Sequence, residues 1–386
     1  MQEPRTLSKF QIILMAVAAG ASVANIYYNQ PILKDISLAF YVTESKAGTI
    51  SLLSQIGYGM GLFFIIPLGD KINKRNLILG LSSLLFVTLL LMTMTTNIHQ
   101  VWILSLLIGL LSVSVQVILP MAASLDTVNR GKTVGTIFTG ILIGILAARV
   151  FSGFIAQWLN WRYVYGFSAL LILATTLLLK ASLPNVKNEF KGHYFLLLQS
   201  VLIQIKRFSL LRDASLTGAL LFGVFCSFWT TLTFHLSGPP FYFHSDIIGL
   251  FGLVAIAGAL MAPYIGKLAD NGNSRRSLLM AAWMIIFSLI LMKLMPNSVI
   301  ILVIAVIILD IGVQAMQVTN VSLIYTLDQT SHSRINTVYM TSYFIGGALG
   351  TFVGLQCWNY GGWSMVVWQM LVWSFLALGI ILKSNK

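Results

Sequence analysis

The chain has 386 residues, of which 57% are hydrophobic and only 9% are charged, and its formal net charge is +13. A soluble domain usually carries about 25% charged residues, so this composition excludes a water-soluble body and predicts a polytopic membrane protein. The two cysteines, Cys226 and Cys357, lie far apart in apolar runs. They predict neither a disulfide framework nor a metal site, and we expect no cofactor.

Apolar segments long enough to span a bilayer follow one another along the whole chain, since a spanning helix needs roughly 20 such residues. The N-terminal segment lacks a convincing cleavage site, so we interpret it as a retained first span. We therefore predict an all-α integral membrane protein with twelve transmembrane helices. Numbered span 1 to span 12, they are 10–32, 47–69, 76–95, 101–124, 133–156, 161–182, 213–236, 247–269, 277–295, 298–324, 335–358 and 363–383.

One connection is much longer than the others. It runs from Leu183 to Arg212 and contains the stretch "YFLLLQSVLIQI", which is too short to span and is expected to lie along the membrane surface. This linker predicts three units: an N-terminal six-helix bundle (1–182), a cytoplasmic linker with a surface helix (183–212) and a C-terminal six-helix bundle (213–386). We call the two bundles the N half and the C half.

The basic residues predict the orientation. With both termini in the cytoplasm, the lysines and arginines fall on the cytoplasmic side, apart from Lys34, Lys46, Arg162, Lys293 and the intramembrane Arg149. This asymmetry follows the positive-inside rule. The basic residues then serve to fix the topology and to contact anionic lipid, so the net charge does not indicate a nucleic-acid partner. We expect a monomeric, multi-pass protein of a bacterial inner membrane.

The two halves repeat each other. The loop "IPLGDKINKR" after span 2 matches "GKLADNGNSRR" after span 8, which aligns Asp70 with Asp270. The loop "LDTVNRGKTVG" after span 4 matches "LDQTSHSRINT" after span 10, which aligns Arg130 with Arg334. A duplicated six-span unit is typical of transporters, in which two similar bundles rock around a shared central site.

These loops resemble the major facilitator superfamily, which carries G-x-L-x-D-x-x-G-R-[KR] between spans 2 and 3. The stretches "NIYYNQPIL" and "RINTVYMTSYFIGGALG" resemble its bacterial twelve-span branch, which includes drug–proton antiporters. Span 5 keeps Gly140 and Gly144 of the antiporter pattern G-x-x-x-G-P-x-x-G-G, but has Ile145 at the proline and Ala148–Arg149 at the closing glycines. The resemblance implies two pseudo-symmetric six-helix bundles. It also implies a cytoplasmic gate built from Asp70, Arg75, Arg130, Asp270, Arg275 and Arg334.

Asp310 is a carboxylate in the middle of an apolar run, where a charge costs roughly 3 kcal/mol and has to face the bundle interior or a water-filled cavity. Gln314 and Gln317 follow on the same helical stripe, and span 4 carries Ser112 and Gln116 at the repeat-related positions. The resemblance implies that spans 1, 4, 7 and 10 line a central cavity. Further candidates for contact with substrate are then Asn25, Tyr28, Asn29, Thr230, Thr231 and His235.

Arg149 is a second charge within a span. A guanidinium does not lose its proton, so it needs an anion, a polar cage or water. Two interpretations of Arg149 stay open: it binds an anionic part of the substrate, or it pairs with Asp310. For Asp310, the alternative to a functional role is that of a structural partner for a nearby cation.

The function predicted from these features is that of a secondary active transporter, not an enzyme. It moves a small molecule across the membrane by alternating access, coupled to protons through Asp310 and Arg149, in the direction of efflux. The alternative is proton-coupled uptake or export of an anionic or polar metabolite, for example a siderophore-like or sugar-like compound. The sequence contains no G-x-x-x-x-G-K-[ST] loop for ATP and no His/Asp/Glu cluster typical of a membrane enzyme.

Overall fold

The computed structural model describes residues 6–126, 128–184, 194–255, 274–328 and 331–384, without the side chain of Asp70. Within these ranges the regular secondary structure is entirely helical. The N half consists of Lys9–Ala24 and Asn29–Ala39 (span 1), Glu44–Phe64 with Leu68–Lys71 (span 2), Lys74–Thr93 (span 3), Ile98–Leu111 and Ser114–Leu125 (span 4), Arg130–Trp158 (span 5) and Trp161–Ser182 (span 6). Then come Tyr194–Arg207 in the linker, Ser209–Ser237 (span 7), Ser245–Val254 (span 8), Ser274–Leu294 (span 9), Val299–Tyr325 (span 10) and His332–Lys383 (spans 11 and 12).

Nine helical segments in the described part of the chain are long and apolar enough to cross a membrane. The difference from twelve has three sources. The span 2 helix is not among the nine, span 8 lies partly outside the described residues, and spans 11 and 12 run together as His332–Lys383. The last pair is separated by non-helical backbone at Gly361 and Gly362, and Gly362 has φ +58°, a left-handed conformation that favours glycine. The all-α membrane architecture is confirmed.

Spans 1 and 4 are each interrupted near the middle. Span 1 breaks at residues 25–28, and span 4 breaks at Ser112 and Val113. The side chains of Asn25 and Ser112 donate to the backbone carbonyls of Ala21 and Ile108, at 2.8 and 2.7 Å. Irregular backbone at membrane depth is tolerated where it is buried in protein or lines a cavity. The two breaks therefore mark the interior of the N half.

Equivalent helix pairs pack closely in both halves. In the N half, a Cβ atom on Gly144 of span 5 would lie 2.3 Å from the carbonyl oxygen of Gly20 in span 1. In the C half, a Cβ on Gly350 of span 11 would lie 2.1 Å from the carbonyl oxygen of Gly223 in span 7. Only glycine allows backbones to approach this closely, so spans 1 and 5 correspond to spans 7 and 11 in the repeat.

Contacts between the halves join the membrane side opposite the chain termini, which we call the distal side. Thr233 Oγ1 donates to the backbone oxygen of Gln30 at 2.6 Å, and Trp358 Nε1 donates to Glu44 Oε2 at 2.9 Å. Ser245 also donates to the carboxylate of Asp35. We call these three contacts the distal closure, because each joins an N-half residue to a C-half residue.

Candidate functional site

A cavity of about 270 Å³ lies between the two halves. Its walls come from spans 1, 2, 4 and 5 of the N half and from spans 7, 8, 10 and 11 of the C half. We call it the central cavity. It extends as far as Tyr325 and Asn336, near the ends of spans 10 and 11 on the side of the termini. The side chains with charge or amide groups on its lining are Gln116, Arg149, Asp310, Gln314, Gln317 and Asn336.

Arg149 is held in the cavity wall by contacts with both halves. Its side chain is buried, and its Nε donates to Gln30 Oε1 at 2.7 Å. Its Cζ lies 3.8 Å from the ring centroid of Trp229 in span 7 and 5.2 Å from that of Tyr27 in span 1. Nη2 has no hydrogen-bond partner among the described residues. The guanidinium is thus stacked on an aromatic face and keeps one donor without a hydrogen-bond partner in the described part of the chain.

Asp310 lines the same cavity from span 10, with only 3% of its surface exposed. Neither carboxylate oxygen has a hydrogen-bond partner within the described part of the chain. Arg149 and Asp310 interact electrostatically, but the two ion pairs within 4.0 Å in the described ranges are Lys34–Glu44 and Arg207–Asp328. Trp229 adjoins both groups, although its Nε1 does not reach either oxygen in hydrogen-bond geometry.

Burying the ionised form of Asp310 without a hydrogen-bond partner is energetically unfavourable. A buried ionised carboxylate without hydrogen bonds tends to take up a proton, to bind a cation or to attract a donor. Among the described residues, the charge that acts on Asp310 is that of Arg149, which already has a neutral partner in Gln30. In the structure, Arg149 is bound to Gln30 and forms no ion pair with Asp310.

The three predicted glutamines line the same cavity. Gln116 Nε2 donates to the hydroxyl of Tyr58 at 3.1 Å, and Gln317 Oε1 accepts from the hydroxyl of Tyr343 at 3.3 Å. Gln314 completes the stripe that begins at Asp310. The structure thus brings Gln116, Gln314 and Gln317 together with both charged residues.

The other residues expected to contact substrate lie in helix contacts, outside the lining of the central cavity. Asn25 and Ser112 stabilise the breaks in spans 1 and 4, whereas Thr230 and Thr231 are buried in span 7. Asn29 Oδ1 accepts a hydrogen bond from the hydroxyl of Ser51, and Tyr28 faces a groove between spans 1 and 5. The ring of His235 stacks on that of Trp363, with 4.3 Å between the centroids. Contact of these seven residues with substrate stays a prediction.

Two of the predicted gate residues, Arg75 and Arg275, make equivalent contacts in the two halves. Arg75 Nη2 donates to the backbone oxygen of Lys180 at the end of span 6, and Arg275 Nη2 donates to that of Leu382 at the end of span 12. Both contacts place a cation at a helix C-terminus, where the helix dipole favours it. Arg130 and Arg334 are exposed near the starts of spans 5 and 11, while Asp270 and the Asp70 side chain lie outside the described residues. The gate stays a prediction.

Sequence reasoning missed two parts of this site. Gln30, the partner of Arg149, follows Asn29 in the stretch "NIYYNQPIL", but an amide in an apolar run does not reveal which residue it binds. Aromatic rings from both halves also meet in the cavity wall: Tyr58 lies 4.3 Å from Phe344, and Phe222 lies 3.9 Å from Tyr343, between ring centroids. No sequence spacing indicates these pairs, because they join different spans.

The family profile described as Major Facilitator Superfamily matches residues 13–354. The chain belongs to the major facilitator superfamily. It is 38% identical over 361 residues to the uncharacterized transporter YgaY of Escherichia coli O157:H7, a match that covers 93% of this chain and 92% of the relative. It is 24% identical over 283 residues to the inner membrane transport protein YnfM of Escherichia coli K12, covering 68% and 64% of the two chains.

Among solved structures, the chain is similar to the POT family transporter PepTSo, with a TM-score of 0.73, 13% sequence identity and 96% of both chains covered. At this identity the likeness concerns the fold alone. Family membership makes this major facilitator superfamily protein a multi-pass membrane transporter of a small molecule. The expectation of a transporter and not an enzyme is thereby confirmed.

Proposed function

We propose that this protein is a proton-coupled secondary transporter that moves a small molecule out of the cell, with Asp310 as the proton carrier. The observation that carries the proposal is a buried carboxylate without a hydrogen-bond partner and a buried guanidinium with an available Nη2, which line one cavity without forming an ion pair. Intramembrane ionisable residues of this kind mark proton and substrate pathways.

The coupling follows from the choice of partner for Arg149. When Asp310 carries a proton, the carboxyl group is neutral and Arg149 stays with Gln30 and Trp229. When the proton leaves, the carboxylate attracts the guanidinium across the cavity. The two arrangements differ in contacts between the halves, so the protonation state biases the equilibrium between conformations.

The direction and the membrane follow from the orientation. We place the protein in a bacterial inner membrane with both termini in the cytoplasm, which agrees with the positive-inside distribution and with the name of the relative YnfM, an inner membrane transport protein. The distal closure then faces the outside, and the central cavity extends toward the cytoplasm. A molecule from the cytoplasm can enter the cavity in this state, as an efflux cycle requires. The protein acts as a monomer of two bundles (1–182 and 213–386), within which the six gate residues close the cytoplasmic side in the opposite state.

The test uses purified protein in proteoliposomes with an imposed pH gradient and a panel of small organic compounds. Asp310→Asn should abolish gradient-driven transport, because an amide cannot carry the proton. Asp213→Asn, the same change at the start of span 7 and outside the cavity lining, is the matched control and should transport normally. Gradient-driven transport by Asp310→Asn at the rate of the control would refute the proposal.

The available Nη2 of Arg149 favours a second candidate, the transport of an anionic metabolite bound by that donor. In that case Arg149→Gln should raise the KM for an anionic substrate strongly, whereas Arg149→Lys should retain part of the affinity. A neutral substrate whose KM does not change in either variant would exclude this candidate.

A further inference from the structure

Gln30 lies at the point where span 1 resumes after its break. It is the second residue of the helix Asn29–Ala39 and follows the turn at residues 25–28, which separates this helix from Lys9–Ala24. Its side chain is 3% exposed. Residues at the end of a helix next to a break are the positions that absorb backbone rotation when domains move. Gln30 therefore lies at a helix end of the kind at which hinges form.

Two hydrogen bonds meet at this residue, and they serve different partners. The side-chain Oε1 accepts from Arg149 Nε at 2.7 Å, which ties Gln30 to the central cavity. The backbone oxygen accepts from Thr233 Oγ1 at 2.6 Å, which is one of the three contacts of the distal closure. One residue of the N half thus contacts both the charged site and the C half.

Thr233, the partner of the Gln30 backbone oxygen, is connected to Arg149 through span 7. Thr233 lies one helical turn after Trp229 in span 7, and Trp229 stacks on Arg149 and adjoins Asp310. Arg149 is also packed from behind, since a Cβ on Gly252 of span 8 would lie 2.8 Å from its Cβ. The stem of the side chain is thus confined on this face, and we expect a shift of the guanidinium toward Asp310 to weaken its Nε bond to Gln30.

We propose that Gln30 is the positioning residue that couples Arg149 to the distal closure. While Arg149 is bound to Gln30, the start of the Asn29–Ala39 helix is fixed and its carbonyl stays in place for Thr233. When Arg149 is drawn toward Asp310, this segment loses its side-chain contact and the closure weakens. The inference rests on the proposed proton site for its pH dependence alone. The titratable groups that face Arg149 are Asp310, Tyr27 and Cys226, and near neutral pH an ordinary phenol or thiol stays uncharged.

The test measures the separation of the halves on the distal side in the full-length protein. Spin labels are attached at Tyr41→Cys and Tyr360→Cys, which replace residues that are 97% and 81% exposed, one in each half. The native cysteines are replaced by Cys226→Ala and Cys357→Ser. Pulsed electron spin resonance then gives the distance distribution, and the long-distance population reports the distally open state.

Two substitutions at Gln30 should shift this population in opposite directions. Gln30→Met removes the acceptor for Arg149, and the open-to-closed ratio should rise roughly tenfold, the order expected on losing a hydrogen bond to a charged group. Gln30→Glu has nearly the same shape and adds a charge that binds Arg149 more firmly, so the closed population should increase. Gln11→Met is the matched control, because Gln11 Nε2 donates at 2.8 Å to the backbone oxygen of Ser182 within the N half, and it should leave the distances unchanged.

A residue with a merely structural role would respond alike to both changes. The inference is overturned if Gln30→Met leaves the distribution as in the control, or if Gln30→Glu opens the distal side as well. Should Gln30→Met fail to fold, Gln30→Glu and the wild type still decide the outcome. Opposite shifts that are the same at pH 5 and pH 8 and in Asp310→Asn would support the role of Gln30 and count against Asp310 as the proton carrier.

Discussion

The indole of Trp358 offers a direct way to perturb the distal closure at its outer end. Its Nε1 donates to Glu44 Oε2 at 2.9 Å across the two halves, and its ring lies 5.9 Å from that of Phe234. Trp358→Phe keeps an aromatic ring at this place but removes the donor. Glu44 keeps its second partner, Lys34, at 2.6 Å, so the carboxylate is not left bare.

The magnitude follows from the nature of this bond. A hydrogen bond to a charged group contributes about 1.5–3 kcal/mol when buried, and the side chain of Glu44 is 27% exposed, so the contribution should lie near or below the lower end. A loss of about 1 kcal/mol changes an equilibrium ratio roughly fivefold, since 1.4 kcal/mol corresponds to a factor of ten. We therefore expect Trp358→Phe to raise the distally open-to-closed ratio about fivefold.

The assay is the distance distribution between spin labels at positions 41 and 360. Trp102→Phe is the matched control, because Trp102 Nε1 donates at 3.0 Å to the backbone oxygen of Lys46 on the same side of the protein but within one half. It should leave the ratio unchanged. If Trp358→Phe behaves like this control, the contact does not stabilise the closed state and the reasoning fails.

Two further predictions concern stability. Gly144→Val should disrupt the packing of spans 1 and 5 and strongly lower the melting temperature in detergent. Gly135→Val in the same helix, where a Cβ meets no other atom within 4 Å, should lower it little. A similar decrease in melting temperature for both variants would contradict the packing argument. Hydrogen bonds from Thr133 and from the backbone N–H of Asn129 hold the pKa of Asp126 below its usual value. A lowered pKa stabilises the folded state above the unfolded pKa of about 3.9, and this contribution is lost as pH falls through the folded value. The wild type should therefore lose more thermal stability than Asp126→Asn between pH 5 and pH 3, and parallel melting curves would argue against this contribution.

Much of the fold could be predicted from the sequence, because the features that define it are local. A run of about 20 apolar residues is enough to identify a span, and the repeated loops indicate the duplication. The contacts of Arg75 and Arg275 with the ends of spans 6 and 12 extend that repeat to individual side chains. The breaks in spans 1 and 4 were not predicted, since they depend on polar partners buried between helices.

The charged residues of the candidate site could be predicted from the sequence, but the residues that they contact could not. Asp310 and Arg149 stand out because charges are rare within apolar segments. Whether they form an ion pair depends on how spans 5 and 10 are held apart, and the sequence left both interpretations open. In the structure, Arg149 instead forms a hydrogen bond with Gln30 and stacks on Trp229, as a consequence of the packing between spans 1, 5 and 7.

Proton movement coupled to substrate is the most direct test of the role of Asp310. Proteoliposomes containing a trapped pH-sensitive dye report the pH change that follows addition of a transported compound. We predict that this change occurs with the wild type and with Asp213→Asn and is absent with Asp310→Asn, even where that variant still exchanges substrate across the membrane. Proton movement by Asp310→Asn in the same ratio to substrate as in the wild type would contradict the account.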